Sequence, residues 1–142
     1  LSNFFAIAVE YETIRYPTAE HAYQAAKTVD RALRERIRVC PTASAAKRSG
    51  RSLVLRPDWE QVKLTVMAQI LRAKFRHPVL QAQLLRTHPR PLVEVNTWGD
   101  RFWGVCHGTG ENHLGQLLMA LRHEFLTAAQ PQVTTNTDRA AS

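Results

Sequence analysis

A carboxylate, a phenol, an amide and an ammonium stand at helical spacing in Tyr16-Pro17-Thr18-Ala19-Glu20-His21-Ala22-Tyr23-Gln24-Ala25-Ala26-Lys27. Glu20, Tyr23, Gln24 and Lys27 fall at i, i+3, i+4 and i+7, so they share one face. Such a face can bring a negative and a positive group to one pocket. Spacing alone favours something plainer: an ordinary first-turn glutamate, stabilised by the positive end of its helix. A second group lies in Asp100-Arg101-Phe102-Trp103-Gly104, followed by Gly108-Thr109-Gly110-Glu111-Asn112. Glycines ahead of a helix let backbone N–H groups approach phosphate oxygens. The same residues also describe a helix-entry turn with packed tryptophans, Trp98 and Trp103. His107 and His113 flank this loop beside Cys106, yet no third or fourth ligand stands at an established metal spacing, so no metal is expected. No Ser/His/Asp nucleophile motif is visible.

Charge narrows the partners. A formal net charge of +7 and a pI near 10.1 favour an anionic ligand such as a nucleotide, a sugar phosphate or a nucleic acid. Arginine supplies most of it, at Arg31, Arg34, Arg36 and Arg38 and again from Arg48 to Arg56, where planar guanidinium forks can clamp phosphate oxygens. The first cluster reads rather as a solvated helix face; the second is divided more evenly between that and a clamp. Cys40 and Cys106 are distant and form no CxxC, so a reduced, cytoplasmic protein is expected. Nothing at the start reads as a signal peptide, and no apolar run approaches the roughly 20 residues that span a bilayer. The chain begins at Leu1 without methionine, and a natural strand ahead of it is an expectation.

The elements that must position these residues follow from pattern. A chain of 142 residues with 44% hydrophobic residues carries one core. Phe5 to Tyr16 suggests a short hairpin. Thr18 reads as the N-cap of a helix to Lys27 or Thr28, Asp30 as the cap of one through Val39, and Pro41-Thr42 as the opening of a third that Gly50 stops. Leu53 to Leu55 reads as extended. Asp58 caps the longest helix, with Trp59, Val62, Val66, Met67 and Ile70 on a core stripe. A helix from Pro78 to Thr87, a strand from Leu92 to Val95 and a structured loop from Asn96 to Asn112 follow. The last helix carries Leu114, Leu117, Leu118, Leu121 and Phe125 on one face. Residues 1–128 form the domain, and 129–142 read as a disordered tail.

Several segments in order resemble the NADAR superfamily of YbiA-like N-glycosidases. They are the opening LSNF, the YPTAEHAYQAAK block, Ala46-Lys47 with Gly50-Arg51, DWEQVKLTVMAQILRAKF, LLRT, LVEV, the Asp-x-aromatic-Trp-Gly element and the GxNxLGxLLMxLR ending. The resemblance runs from Leu1 to about Leu126. It implies a mainly α (α+β) domain with a small β element, and hydrolysis of the C–N bond between ribose and a base-like group. The implied substrate is a small phosphorylated ribosylamino-pyrimidine of riboflavin synthesis or an ADP-ribosyl-guanine, the latter free or on nucleic acid, with no metal or redox cofactor and no membrane partner.

Glu20 matches the glutamate of the family's P-[ST]-x-E-H motif. The implied catalytic pair is therefore Glu20, beneath the anomeric carbon, with Asp100 activating water or protonating the leaving group. Trp98 and Trp103 are expected to sandwich the base, and Lys27, Lys47 and Arg51 to neutralise phosphate. Asn3, Phe4, Tyr23, Gly104, Gly110, Asn112 and Gly115 complete the implied substrate-binding set. Gly104 is followed here by Val105-Cys106, where many relatives carry an acidic or glycine-rich continuation, which points to a shifted leaving-group pocket. A non-catalytic reader of ADP-ribose or nucleic acid would use the same charge and aromatics without Glu20.

Overall fold

The computed structural model describes residues 1–130, so the expected tail beyond them lies outside the described residues. Among the described residues, six helices and two small β elements surround one core. Strands β1 (Val9–Tyr11) and β2 (Ile14–Tyr16) pair antiparallel with Val9 opposite Tyr16. Their two-residue turn places Glu12 and Thr13 at φ 47° and 68°, the left-handed pair whose twist matches that of a hairpin. Val9, Tyr11 and Tyr16 enter the core.

Helix α1 (Ala19–Ala26) begins at Thr18, whose hydroxyl accepts from His21 N at 3.2 Å. All eight of its residues are buried. Four alanines make this possible, because small side chains let neighbours approach from every side. Helices α2 (Arg31–Arg38), α3 (Ala43–Arg51) and α4 (Trp59–Lys74) pack around it together with the hairpin. Asp30 caps α2 by accepting from Ala32 N and Leu33 N, and Thr42 caps α3 by accepting from Ala45 N. Both starts match expectation.

Three sequence expectations fail in this region. Gly50 does not stop α3; it sits inside the helix, where a Cβ would collide with the Gln24 side chain of α1. The glycine is thus a close-approach residue and not a terminator. No strand forms at Leu53 to Leu55. Asp58 does stand at the start of α4 but makes no capping bond, because its carboxylate takes Arg56 Nε at 2.6 Å and Nη2 at 3.0 Å.

On α4, Trp59, Val66, Met67 and Ile70 are buried, and Val62 packs against them. Helix α6 (His113–Ala128) buries Leu114, Leu118 and Leu121 and lies against α4 and α5 (Pro78–Arg86). The expected strand at Leu92 to Val95 contracts to β3 (Val95–Asn96), which pairs in parallel with β4 (Val105–Cys106). The side chain of Asn112 takes Leu92 O and Glu94 N, so that backbone bonds to a side chain in place of a strand partner. Among the described residues no helix is long and apolar enough to cross a membrane.

Candidate active site

The fully buried α1 presents its polar face to a cavity of about 790 Å³. Glu20, Tyr23, Gln24 and Lys27 all line it, as their spacing predicts. Opposite them stand the N-terminal segment through Ser2, Asn3 and Phe4, the face of α3 with Ser44, Lys47, Arg48 and Arg51, and a third wall from Glu94, Trp98, Asp100 and Trp103. Met67 and Leu114 contribute apolar surface.

Glu20 is 7% exposed. Its Oε1 accepts from Gln24 Nε2 at 2.7 Å, one helical turn on, while its backbone N donates to Asn3 O at 3.0 Å. Burial pushes its carboxyl above the ordinary glutamate range; the Gln24 bond, Lys47 and Lys27 pull in the other direction. His21, the next residue, faces away and braces the helix: Nδ1 meets Thr18 Oγ1 at 2.8 Å and Nε2 meets Cys40 O at 3.0 Å. With the second contact a donation to a carbonyl, Nδ1 is left as the acceptor. The Thr-x-Glu-His order therefore caps the helix, points a carboxylate into the cavity and ties the opposite side to the α2–α3 connection.

The α3 wall is a positive surface. Lys47, Arg48 and Arg51 make no ion pair among the described residues, nor does Lys27. Burial lowers the Lys27 ammonium; Glu20 opposes that shift, and Lys47 and Arg51 add to it. Unpaired cations converging on one cavity favour a multiply charged anion. The first arginine cluster lies elsewhere: Arg34 is buried, pairs with Glu12 at 2.5 Å and donates to Thr28 O at 2.7 Å, while Arg38 pairs with Glu35 on the surface.

The aromatic residues divide differently from the expected tryptophan sandwich. Trp103 is half-buried, donates from Nε1 to Tyr23 Oη at 3.0 Å and meets Tyr23 and Phe102 edge to face at 5.6 and 4.9 Å. Burial holds the Tyr23 phenol well above its usual range, so it stays protonated. Trp98 is 64% exposed and Phe4 42%. Between them sits Lys47, its Nζ 5.1 Å from the Trp98 ring centre and 5.7 Å from that of Phe4. The exposed pair on the rim is thus Trp98 and Phe4.

Asp100 lines the cavity, yet its Oδ1 accepts from Phe102 N at 3.2 Å and Trp103 N at 2.9 Å, an Asx-type turn that shapes the loop. Four expected substrate contacts lie behind the wall instead of on it. Gly104 abuts the Glu94 carbonyl, Gly110 abuts the Gly104 carbonyl, and Gly115 abuts the Leu92 carbonyl and the Asn112 side chain. Asn112, at φ 53°, bridges Leu92 O and Glu94 N, each at 2.9 Å. Such backbone contacts are what glycine spacing before a helix also produces, and sequence cannot distinguish them from phosphate contacts. Val105 and Cys106 likewise form β4 and do not line the cavity. Among the described residues no group of three or more His, Cys, Asp or Glu side chains gathers as a metal ion needs.

Sequence reading assigned no role to Ser2, Ser44, Met67, Glu94 or Leu114 in the lining. For Glu94 a signal existed: a lone carboxylate inside the apolar run Leu92-Val93-Glu94-Val95.

The NADAR domain family matches residues 1–126. N-glycosidase YbiA of Escherichia coli (strain K12) is 46% identical over 128 residues, covering 87% of this chain and 79% of that protein. The chloroplastic riboflavin biosynthesis protein PYRR of Zea mays is 38% identical over 125 residues, covering 78% of this chain but 20% of that longer protein. The NMR structure of Escherichia coli YbiA superposes with a TM-score of 0.80 at 44% identity, over 89% of this chain and 77% of that one. With sequence, domain match and three-dimensional likeness in agreement, the chain belongs to the NADAR family, among its YbiA-like N-glycosidases.

Proposed function

We propose that the chain hydrolyses the C–N bond between ribose and a base-like group in a phosphorylated ribosylamino-pyrimidine, an intermediate of riboflavin synthesis. An ADP-ribosyl-guanine, free or on nucleic acid, is the competing substrate. The observation that carries this reading is the pairing of a buried carboxylate, Glu20, with an unpaired cationic wall across one cavity. Cleavage of an N-riboside develops positive charge at C1′ and the ring oxygen, and a carboxylate in a low-dielectric site stabilises that charge strongly. Lys27, Lys47, Arg48 and Arg51 hold the phosphate, which fixes the ribose over Glu20. Binding energy from the phosphate then positions the reacting atoms, and the proposed hydrolysis requires no metal or redox cofactor. Asn3 Oδ1 and Gln24 Oε1 are buried acceptors without a protein partner among the described residues, the latter packed against Gly50.

The rim supports a base-stacking role for Trp98 with Phe4, Lys47 moving from between the rings toward the phosphate as substrate enters. Because Trp98 is largely exposed, Trp98→Ala should leave the melting temperature unchanged. It should raise KM about tenfold with kcat nearly constant, in line with the roughly 1–3 kcal/mol of a base stacked on an aromatic ring. Steady-state kinetics checks this, and an unchanged KM removes Trp98 from the binding surface.

The decisive assay incubates the chain with ribosylaminopyrimidine phosphates and, separately, with ADP-ribosylated guanine, and identifies products by mass. Ribose phosphate with free pyrimidine is the expected result. Release of ADP-ribose alone transfers the activity to the second substrate. Tight binding without product, surviving Glu20→Gln, leaves a reader of ADP-ribose.

A further inference from the structure

Glu94 is a cavity carboxylate that none of the motifs above uses. Its backbone is fixed with unusual thoroughness. Glu94 N donates to Asn112 Oδ1 at 2.9 Å, and Glu94 O accepts from Val105 N at 2.7 Å. Gly104 presses directly on that carbonyl, where any Cβ would collide. Asn112 itself sits in the left-handed region and is packed by Gly115. Gly104, Asn112 and Gly115, which sequence reading placed on the substrate, thus converge on one short stretch of chain, Leu92 to Glu94. A backbone held this firmly makes the direction of its side chain reproducible. The Glu94 side chain lines the cavity and makes no hydrogen bond or ion pair among the described residues. Asp100, the expected second carboxylate, has Oδ1 engaged by two backbone N–H groups of its own turn.

We propose that Glu94 is the proton donor of the site, protonating the departing nitrogen, and that Asp100 is a positioning residue for the loop carrying Trp103. The assignment rests on the N-glycosidase function proposed above. As the C1′–N bond breaks, its electron pair stays on nitrogen, which takes the Glu94 proton. Water adds to C1′ and gives up a proton to Glu20, and exchange with solvent restores both groups. The net change is one water consumed, one free base and one ribose phosphate released.

The surroundings suit these opposite tasks. Burial raises the Glu94 carboxyl; Asp100 adds to this, and Lys74 opposes it. Lys74 is itself drawn down to about 8 by burial and donates to the Leu1 and Ser2 carbonyls. Glu20 instead faces Lys47, Lys27 and the Gln24 amide, which favour its ionised form. Burial raises both carboxyls, but Glu20 has an amide and two lysines beside it that offset the rise, whereas Glu94 has the like-charged Asp100 as a neighbour, a contrast that favours the proton on Glu94.

The test compares two substrates: the N-riboside phosphate, and p-nitrophenyl ribofuranoside 5-phosphate, whose phenolate departs without a proton. Glu94→Gln should lose about a hundredfold or more in kcat on the N-riboside and far less on the nitrophenyl compound, whereas Glu20→Gln should lose both. In the unsubstituted chain, kcat on the N-riboside should fall as pH rises through the Glu94 titration, and the nitrophenyl reaction should lack that limb. This second measurement needs no variant to fold. Equal losses on both substrates, or an N-riboside profile without an alkaline limb, overturn the proton-donor role. Turnover of neither substrate by the unsubstituted chain, with ADP-ribosyl-guanine also left intact, overturns the N-glycosidase function itself, and the Glu94 assignment with it.

Discussion

Glu20→Gln is expected to lower kcat by about a thousandfold, the upper end for loss of a single preorganised electrostatic stabiliser. The substitution keeps size and shape, and the new amide oxygen can still accept from Gln24 Nε2, now 2.7 Å from Glu20 Oε1. Removing a buried charge carries no desolvation cost, so the melting temperature should hold or rise. KM should change little, because the proposed phosphate contacts lie chiefly on the α3 wall. A drop in kcat with a preserved melting curve is the signature of chemistry lost from an intact fold, and undiminished turnover would exclude Glu20 from the reaction. The native enzyme supplies a matching observation in its pH profile. In the proposed mechanism Glu20 works ionised, and burial raises its carboxyl, so activity should fall on acidification at a higher pH than an exposed glutamate would give.

The second large effect lies away from substrate. Gly104→Ala places a methyl group against the Glu94 carbonyl and 2.9 Å from Asn96 Nδ2. Neither neighbour yields easily: one is backbone, and the Asn96 amide donates to Asp100 O at 2.7 Å. Overpacking of this kind costs about 1–3 kcal/mol, and each kcal/mol lowers the melting temperature by about 4 °C at this chain length. Activity should fall further than stability explains, because a shift of about 1 Å in a site group can cost about a hundredfold. Calorimetry with kinetics on the folded fraction separates the two. A variant with native melting and native kcat would show that Glu94 tolerates displacement.

What the sequence reveals depends on whether a residue's task is local. Thr18, Asp30 and Thr42 announce their helices because a cap acts on the next three residues, and all three accept the bonds expected of them. The face of Glu20, Tyr23, Gln24 and Lys27 is legible for the same reason. Gly50 and Gly104 are misread because their task is set by a partner distant in the chain, Gln24 for one and Glu94 for the other. The two carboxylates invert in the same way. Asp100 stands in a conspicuous motif and bonds its own turn, while Glu94 sits in a short apolar run and reaches the cavity only once α6 supplies Asn112. Spacing alone favours a plain helix-end glutamate at position 20. Its burial reverses that preference, and nothing local foretells a helix enclosed on every side.

That enclosure bears on how such an enzyme changes over generations. Helix α1 touches α2, α3, α4 and both strands of the hairpin, so most replacements in it should cost stability as well as turnover. Phe4 and Trp98 are largely free of such duties. On the proposed reading, a change of leaving base therefore falls most cheaply on the rim, where a substitution disturbs little packing, while a change at the carboxylate beneath disturbs the fold that encloses it.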